Sequence, residues 1–310
     1  MTTSYSPALL GDDLSSWLNK TDPKDPILQH LTNDQIIEIF RLDKYNMLAP
    51  HPEVSRVATA SNDPQAMATI SVSTANRIYR CTIAKLSDDG QFLELATGHY
   101  WTIGGKKRSC IFVRKGYQEH WEIVYHHFVV KKSQETVIVS GTPGAGKSVE
   151  GVYFLHKLFD AFAGDVPPIL YAESTTSNSS LVYFRGFVFT VPDHQALEDT
   201  LSYKVLSANG PVWHIYDSSC PGDKEGTTNG PQIISSPGRA DDTDIKSIRK
   251  RPHLQIYLPL PNLSEMSAIR SRLHDDPLNA SEYLSLARMN ELIDIYGCVP
   301  RTIFDFGNRK

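Results

Sequence analysis

A short glycine-rich stretch, Gly141-Thr142-Pro143-Gly144-Ala145-Gly146-Lys147-Ser148, constrains this chain more than any other feature. It is entered from an apolar run, Thr136 to Val139, and left through a segment whose Val152, Leu155, Leu158 and Phe162 make an amphipathic helical pattern. Strand, glycine turn, then helix is the context in which G-x-x-x-x-G-K-[S/T] works as a phosphate-binding loop, or P-loop. Glycines at 141, 144 and 146 allow backbone angles that turn successive N–H groups inward, and the helix start adds its own N–H groups and dipole. On this reading Gly141, Thr142, Pro143, Gly144, Ala145, Gly146, Lys147, Ser148 and Val149 surround the phosphates of a nucleotide. Lys147 reaches the β and γ phosphates as a point charge, and the Ser148 hydroxyl ligates magnesium. The expected ligands are ATP and Mg2+, because no N/T-K-x-D guanine-reading pattern is found.

A loop of this kind works with an acid at the end of a buried strand. Val212-Trp213-His214-Ile215-Tyr216-Asp217 has that form, so Asp217 is the candidate second holder of the magnesium shell. Ser218 follows it, where many ATPases place a Glu that orients the attacking water. Glu173, ending Ile169-Leu170-Tyr171-Ala172, is a candidate substitute, since strand ends beside the loop face the ligand crevice of open α/β sheets. Ser236, ending Ile233-Ile234-Ser235-Ser236, is placed to sense the γ-phosphate or position water, and Arg239 in the same loop is a candidate for neutralising transition-state charge. Arg301 follows Pro300 in the first turn of a predicted helix, where a cation opposes the helix dipole and so points to a functional reason.

Around this centre the apolar patterning predicts an α/β fold: a P-loop NTPase with a mainly parallel sheet flanked by helices. A C-terminal helical segment follows the sheet, and a smaller α+β region precedes it. Residues 1–70 read as a loosely built arm with one helix, Asn33 to Tyr45. Residues 71–133 read as a β-rich subdomain, with strands from Ala75 to Thr102 about an Asp88-Asp89-Gly90 turn, closed by a linking helix between Arg114 and Val130. Residues 134–262 form the NTPase core. Its expected elements are a helix from Lys147 to Phe162, a hairpin about Arg185-Gly186, a helix from Pro192 to Tyr203, and strands at 212–216, 233–234 and 254–258. Residues 263–310 carry helices at Leu263–Leu273 and Ser281–Tyr296.

Several landmarks resemble the P-loop ATPase module shared by Crinkler effectors and retrotransposon-hot-spot proteins. They are Phe112-Val113-Arg114-Lys115-Gly116-Tyr117, the glycine loop itself, Ser235-Ser236-Pro237, Leu258-Pro259-Leu260-Pro261 followed by Glu265, and Gly297-Cys298-Val299-Pro300-Arg301. The resemblance covers residues 110 to 305. It implies that Lys147 and Ser148 bind phosphate and magnesium, that Asp217 is the Walker B acid, that Ser236 is sensor-like, and that Arg301 contacts the γ-phosphate. The nuclease activity of some relatives is not carried over.

Composition narrows the remaining function classes. A net charge of -4 gives no long-range attraction for nucleic acid or anionic lipid. The clusters Lys106-Lys107-Arg108, Lys131-Lys132 and Arg249-Lys250-Arg251 are local basic patches that support nucleic-acid contact only weakly. Cys81, Cys110, Cys220 and Cys298 lie far apart, which predicts reduced thiols rather than a zinc site or a disulfide framework. His126 and His127 are adjacent and point in different directions on a helix, so magnesium is the one metal expected. No stretch approaches the roughly 20 apolar residues that span a bilayer, and the first residues lack a signal-peptide core, so an intracellular protein, cytosolic or nuclear, is expected. The leading expectation is an ATPase whose nucleotide state moves the C-terminal helices and so controls a protein partner or self-association. A nucleotide-binding module with little hydrolysis is the alternative, and a P-loop kinase ranks behind both.

Overall fold

The computed structural model describes residues 26–43, 45–50, 77–103, 106–173, 180–191, 200–217, 230–235, 252–274 and 283–306. Among the described residues, a 3-10 turn at Pro26–His30 is followed by α1 (Asn33–Leu42), β1 (Asn46–Pro50) and α2 (Arg77–Ile83). Short strands follow: β2 (Lys85–Leu86), β3 (Phe92–Glu94), β4 (Trp101–Ile103), β5 (Lys106–Arg108) and β6 (Cys110–Phe112). Helix α3 (Lys115–Tyr125) runs on as a π-helical turn, His126–Val130, into β7 (Thr136–Gly141). Then come α4 (Lys147–Ala161), β8 (Ile169–Glu173), β9 (Ser180–Phe184), β10 (Phe187–Val191), α5 (Leu201–Ala208), β11 (Trp213–Asp217), β12 (Gln232–Ser235) and β13 (His253–Leu258). Among the described residues three helices follow: α6 (Leu263–Leu273), α7 (Leu286–Tyr296) and α8 (Pro300–Phe306).

Eight strands form one sheet in the order β1-β10-β9-β8-β11-β12-β7-β13. The stretch β8-β11-β12-β7-β13 is parallel throughout, and β9, β10 and β1 add an antiparallel flank. A parallel sheet must be covered on both faces, so its strands read as unbroken apolar runs. Val137 and Val139 pack on one face with Val152, Leu155 and Leu158 of α4 and with Tyr117, Trp121 and Val124 of α3. Ile138, between them, packs on the other with Ile36, Ile39 and Phe40 of α1 and Val205 and Leu206 of α5. A third, smaller core joins α6, α7 and α8 through Met266, Ile269, Met289, Leu292 and Ile303. Among the described residues, no helix is long and apolar enough to cross a membrane.

Two expectations need correction. The arm is not loosely built where it is described: α1, closed at its start by a Thr32–Gln35 capping box, covers one sheet face, and β1 pairs with β10. The segment read as a strand after Ala75 is helix α2. Ile78, Cys81 and Ala84 recur every third residue and all are buried, because they face α4. The Cys81 thiol donates to Val152 O at 3.6 Å, and His156 Nδ1 donates to Cys81 O at 3.3 Å, which fixes the pairing. The helix expected over Pro192–Tyr203 is present where that segment is described: α5 holds Leu201–Tyr203 and runs on to Ala208. Thr200 Oγ1 caps it by accepting from Tyr203 N, and Asp43 accepts from Ser202 N at 2.6 Å, so the polar start is supplied partly by a distant residue. Positions 192–199 of that segment, like Ala75, lie outside the described residues.

The hairpin about Arg185-Gly186 is present, with both residues at positive φ, as a tight two-residue turn between antiparallel strands requires. Helix α1 stops at Leu42 and α7 begins at Leu286, each within the expected segment. The β-rich subdomain shares its core with α3 and α4: Ile78, Leu93, Trp101 and Ile111 belong to the same apolar cluster as Val152 and Leu155.

Candidate functional site

Strand β7 lies inside the sheet between β12 and β13. The chain leaves β7 through α4 toward β8 on one side, and later returns to β13 on the other. That reversal opens a crevice at the carboxyl end of β7, where open α/β sheets bind ligands. The glycine loop fills this position. Gly146, at φ 108°, sits just ahead of the first turn of α4 and is left-handed, as is Gly144 at φ 84°.

Lys147 is 7 % exposed and its ammonium donates to Gly141 O at 2.8 Å and Thr142 O at 3.2 Å. Burial pushes the Lys147 pKa below its ordinary value, partly offset by the Glu150 carboxylate one turn along. Ser148 Oγ donates to Asp217 Oδ1 at 2.9 Å, and the Tyr171 hydroxyl donates to Asp217 Oδ2 at 3.4 Å. Asp217 is buried at the end of β11, two strands from β7, with Ser235 of β12 and the backbone of Glu173 of β8 in register beside it. One hydroxyl and one carboxylate therefore meet immediately beside the lysine. The side chain of Glu173 lies outside the described residues, as do Ser218, Ser236, Arg239, Cys220 and Arg249-Lys250-Arg251.

Arg301 reaches the loop from the far end of the chain. A Cβ placed on Gly144 would lie 2.9 Å from Arg301 Cβ and 3.2 Å from Val299 Cγ1, so the start of α8 rests directly on the loop. Arg301 also contributes to the lowering of the Lys147 pKa by like-charge repulsion. Lys147, Ser148, Asp217 and Arg301 are thus brought together.

Sequence reasoning quoted Arg114, Tyr117 and Glu265 without giving them a role. All three belong to the site's surroundings. Arg114 Nη1 donates to Ala145 O at 2.9 Å, Nη2 to Pro259 O at 2.8 Å, and Nε to Glu265 Oε2 at 3.4 Å. The Tyr117 hydroxyl donates to Gly146 O at 3.0 Å. A second buried pair was missed altogether: His120 Nδ1 lies 2.6 Å from Glu150 Oε1 beneath the loop, and burial holds the Glu150 carboxyl above its ordinary range although His120 opposes this. No spacing links residues 120 and 150, so no sequence signal could have joined them.

A cavity of about 630 Å³ opens from Gly144–Val149 and continues between β4–β6 and the C-terminal helices. Its far wall is mostly apolar, with Ile103, Ile111, Phe112, Ile269, Leu273 and Phe304. Among the basic clusters, Arg108 lines this cavity, Lys107 sits over the Tyr100 ring at 4.3 Å, and Lys131-Lys132 are exposed beyond the π-helical turn, so they do not form one patch. Cys110 and Cys298 are free thiols, and burial pushes Cys110 up to about 11. Compared with protein-family models, the chain matches none, and it matches no curated protein sequence.

Proposed function

We propose that this chain binds ATP with magnesium through the glycine loop and hydrolyses it, and that nucleotide state sets the position of the C-terminal helices. The observation that carries the reading is the 2.9 Å bond from Ser148 Oγ to Asp217 Oδ1, beside an ammonium that donates to two backbone carbonyls. Strand order explains why it matters. Asp217 stands two strands from the loop, yet its carboxylate is delivered to the one hydroxyl that directly follows the lysine.

The phosphates would lie across the N–H groups of the loop, and Lys147 would exchange carbonyl oxygens for the β and γ phosphates. Arg301, already against Gly144, would meet the γ end. The apolar far wall of the cavity would take the base, between the N-terminal strands and α6 and α8. Among the described residues no group of three or more His, Cys, Asp or Glu could hold a metal, so a dedicated protein cage is not on offer. Magnesium needs none: it binds through one or two carboxylates with waters and substrate phosphates, and Ser148 Oγ with Asp217 supplies the hard oxygen donors. When bound it neutralises charge on the phosphate chain. A protein partner, or a second copy of this chain, is what movement of the C-terminal helices would address, as the same segment closes the cavity.

A second reading rests on Ser218, which leaves the position after Asp217 without a carboxylate to orient water. The chain would then be a nucleotide-gated binding module with little turnover. Phosphate release from ATP and from GTP with magnesium separates the two, comparing wild type with Lys147→Ala and Asp217→Ala. Turnover lost in both variants supports the ATPase. Binding without phosphate release supports the module, and a wild type that binds neither nucleotide overturns both.

A further inference from the structure

Two side chains from the beginning of α3 hold the peptides of the glycine loop. Arg114 Nη1 donates to the carbonyl of Ala145, and the Tyr117 hydroxyl donates to the carbonyl of Gly146. These are consecutive peptides. In a trans peptide the N–H points opposite to the C=O. Holding Ala145 C=O toward Arg114 therefore turns the N–H of Gly146 away from it, and holding Gly146 C=O toward Tyr117 does the same for the N–H of Lys147. Inward-facing successive N–H groups are what make an anion cradle.

We propose that Arg114 and Tyr117 are positioning residues of the phosphate cradle, fixing the orientation of two of its N–H donors before any ligand arrives. The proposal rests on the triphosphate reading above and adds to it two residues that line the cavity beside the loop and act on the phosphates through the loop's peptides. Arg114 is 3 % exposed, and a buried guanidinium is tolerated only where its donors are used. Here they are directed at two backbone carbonyls and at Glu265. Glu265 is itself immobilised by its capping box with Asn262 at the start of α6, and Lys115 N donates to its other oxygen at 3.3 Å. The anchor is rigid as well as buried.

Tyr117 is likewise committed. Its ring packs near Tyr153, and burial raises its pKa, so the phenol keeps the proton it donates. Gly146 O already accepts the first helical bond from Glu150 N at 3.0 Å, leaving its second lone pair for the tyrosine. A Cβ on Gly146 would come within 2.3 Å of the phenol oxygen, so loop and tyrosine are in direct contact.

The test measures affinity of the full chain for MgATP and for inorganic tripolyphosphate by calorimetry, with thermal unfolding of the ligand-free protein alongside. Tyr117→Phe keeps the ring and removes one donor; Arg114→Met removes three, and Arg114→Lys restores one. Tyr117→Phe is expected to weaken both ligands by the same factor, about 3- to 10-fold, as a lost hydrogen bond of ordinary strength does. Arg114→Met should weaken them further, and Arg114→Lys should recover part. The equal factor matters, because the effect resides at the phosphates and not at the base. Lower melting temperature with unchanged affinity would mean a purely structural role and overturn the proposal. If Arg114→Met does not fold, Tyr117→Phe decides alone. A wild type that binds neither ligand overturns the triphosphate reading and this proposal with it, whereas a binding wild type matched by its variants overturns the proposal only.

Discussion

Gly144→Ala tests whether α8 rests on the glycine loop. The added Cβ meets two penalties that can be separated. Gly144 sits at φ 84°, a left-handed conformation that costs a residue with a side chain about 1–2 kcal/mol. The Cβ would also lie 2.9 Å from Arg301 Cβ, well inside ordinary carbon contact, and relief of such overpacking costs about 1–3 kcal/mol. Together they amount to about 2–5 kcal/mol, or a melting temperature lower by about 4–10 °C at the roughly 2 °C per kcal/mol proper to a chain of this size. Gly98→Ala is the internal control. It has nearly the same φ, 86°, but nothing within 4 Å of the new Cβ, so it carries the backbone penalty alone. Thermal unfolding of both variants gives the difference, expected at about 1–3 kcal/mol. Hydrogen exchange then locates it: amides of Val299 to Phe306 should lose protection in Gly144→Ala and keep it in Gly98→Ala. Equal destabilisation of the two variants, with exchange at α8 unchanged, would show that Arg301 does not sit on the loop and would remove it from the site.

Two further substitutions address the surroundings of the site. Ile39→Ala removes a fully buried side chain of α1 from the sheet face and should cost about 2–5 kcal/mol in urea unfolding, against the roughly 0.5 kcal/mol expected of a loosely attached arm. His156 carries the pH dependence. Burial lowers its pKa below the ordinary 6.5, so as pH falls through 6.5 the unfolded chain takes up a proton that the folded chain refuses. Stability therefore drops across the window from 6.5 down to the folded value and levels off below it. His156→Asn retains a donor for Cys81 O without titrating, so the loss of urea midpoint between about pH 7.5 and about pH 5.5 should be smaller in the variant.

What the sequence discloses depends on whether the cause of a structure is local. The run Val137-Ile138-Val139 is apolar because both sheet faces are covered, and the Arg185-Gly186 turn is required by its own two residues; both are legible. Helix α2 is not. Its residues alternate acceptably for a strand, and only the facing turn of α4, through Val152 O and His156, selects the helix. The start of α5 depends in the same way on Asp43, more than 150 positions earlier. In the site, Lys147 and Ser148 are contiguous and Asp217 closes a plain apolar strand, so these three could be read directly, and their meeting is a consequence of strand order that spacing does not state.

The glycines of the loop show how the two kinds of cause overlap. Read alone, the residues at 144 and 146 are glycine because the backbone must approach phosphate. In the folded chain each is also confined by protein: Val299 and Arg301 stand over Gly144, and Tyr117 stands over Gly146. A side chain at either position would collide with protein before any ligand is present. The loop is therefore shaped by segments on both flanks of the sheet domain, one preceding it and one following it. Ligand binding that shifts the loop must move Tyr117 or Arg301, and a force on α8 must reach the loop, since equilibrium coupling between two sites is reciprocal. If the proposed nucleotide binding holds, α8, rather than the loop itself, is the place where a nucleotide-dependent change would be felt by a partner.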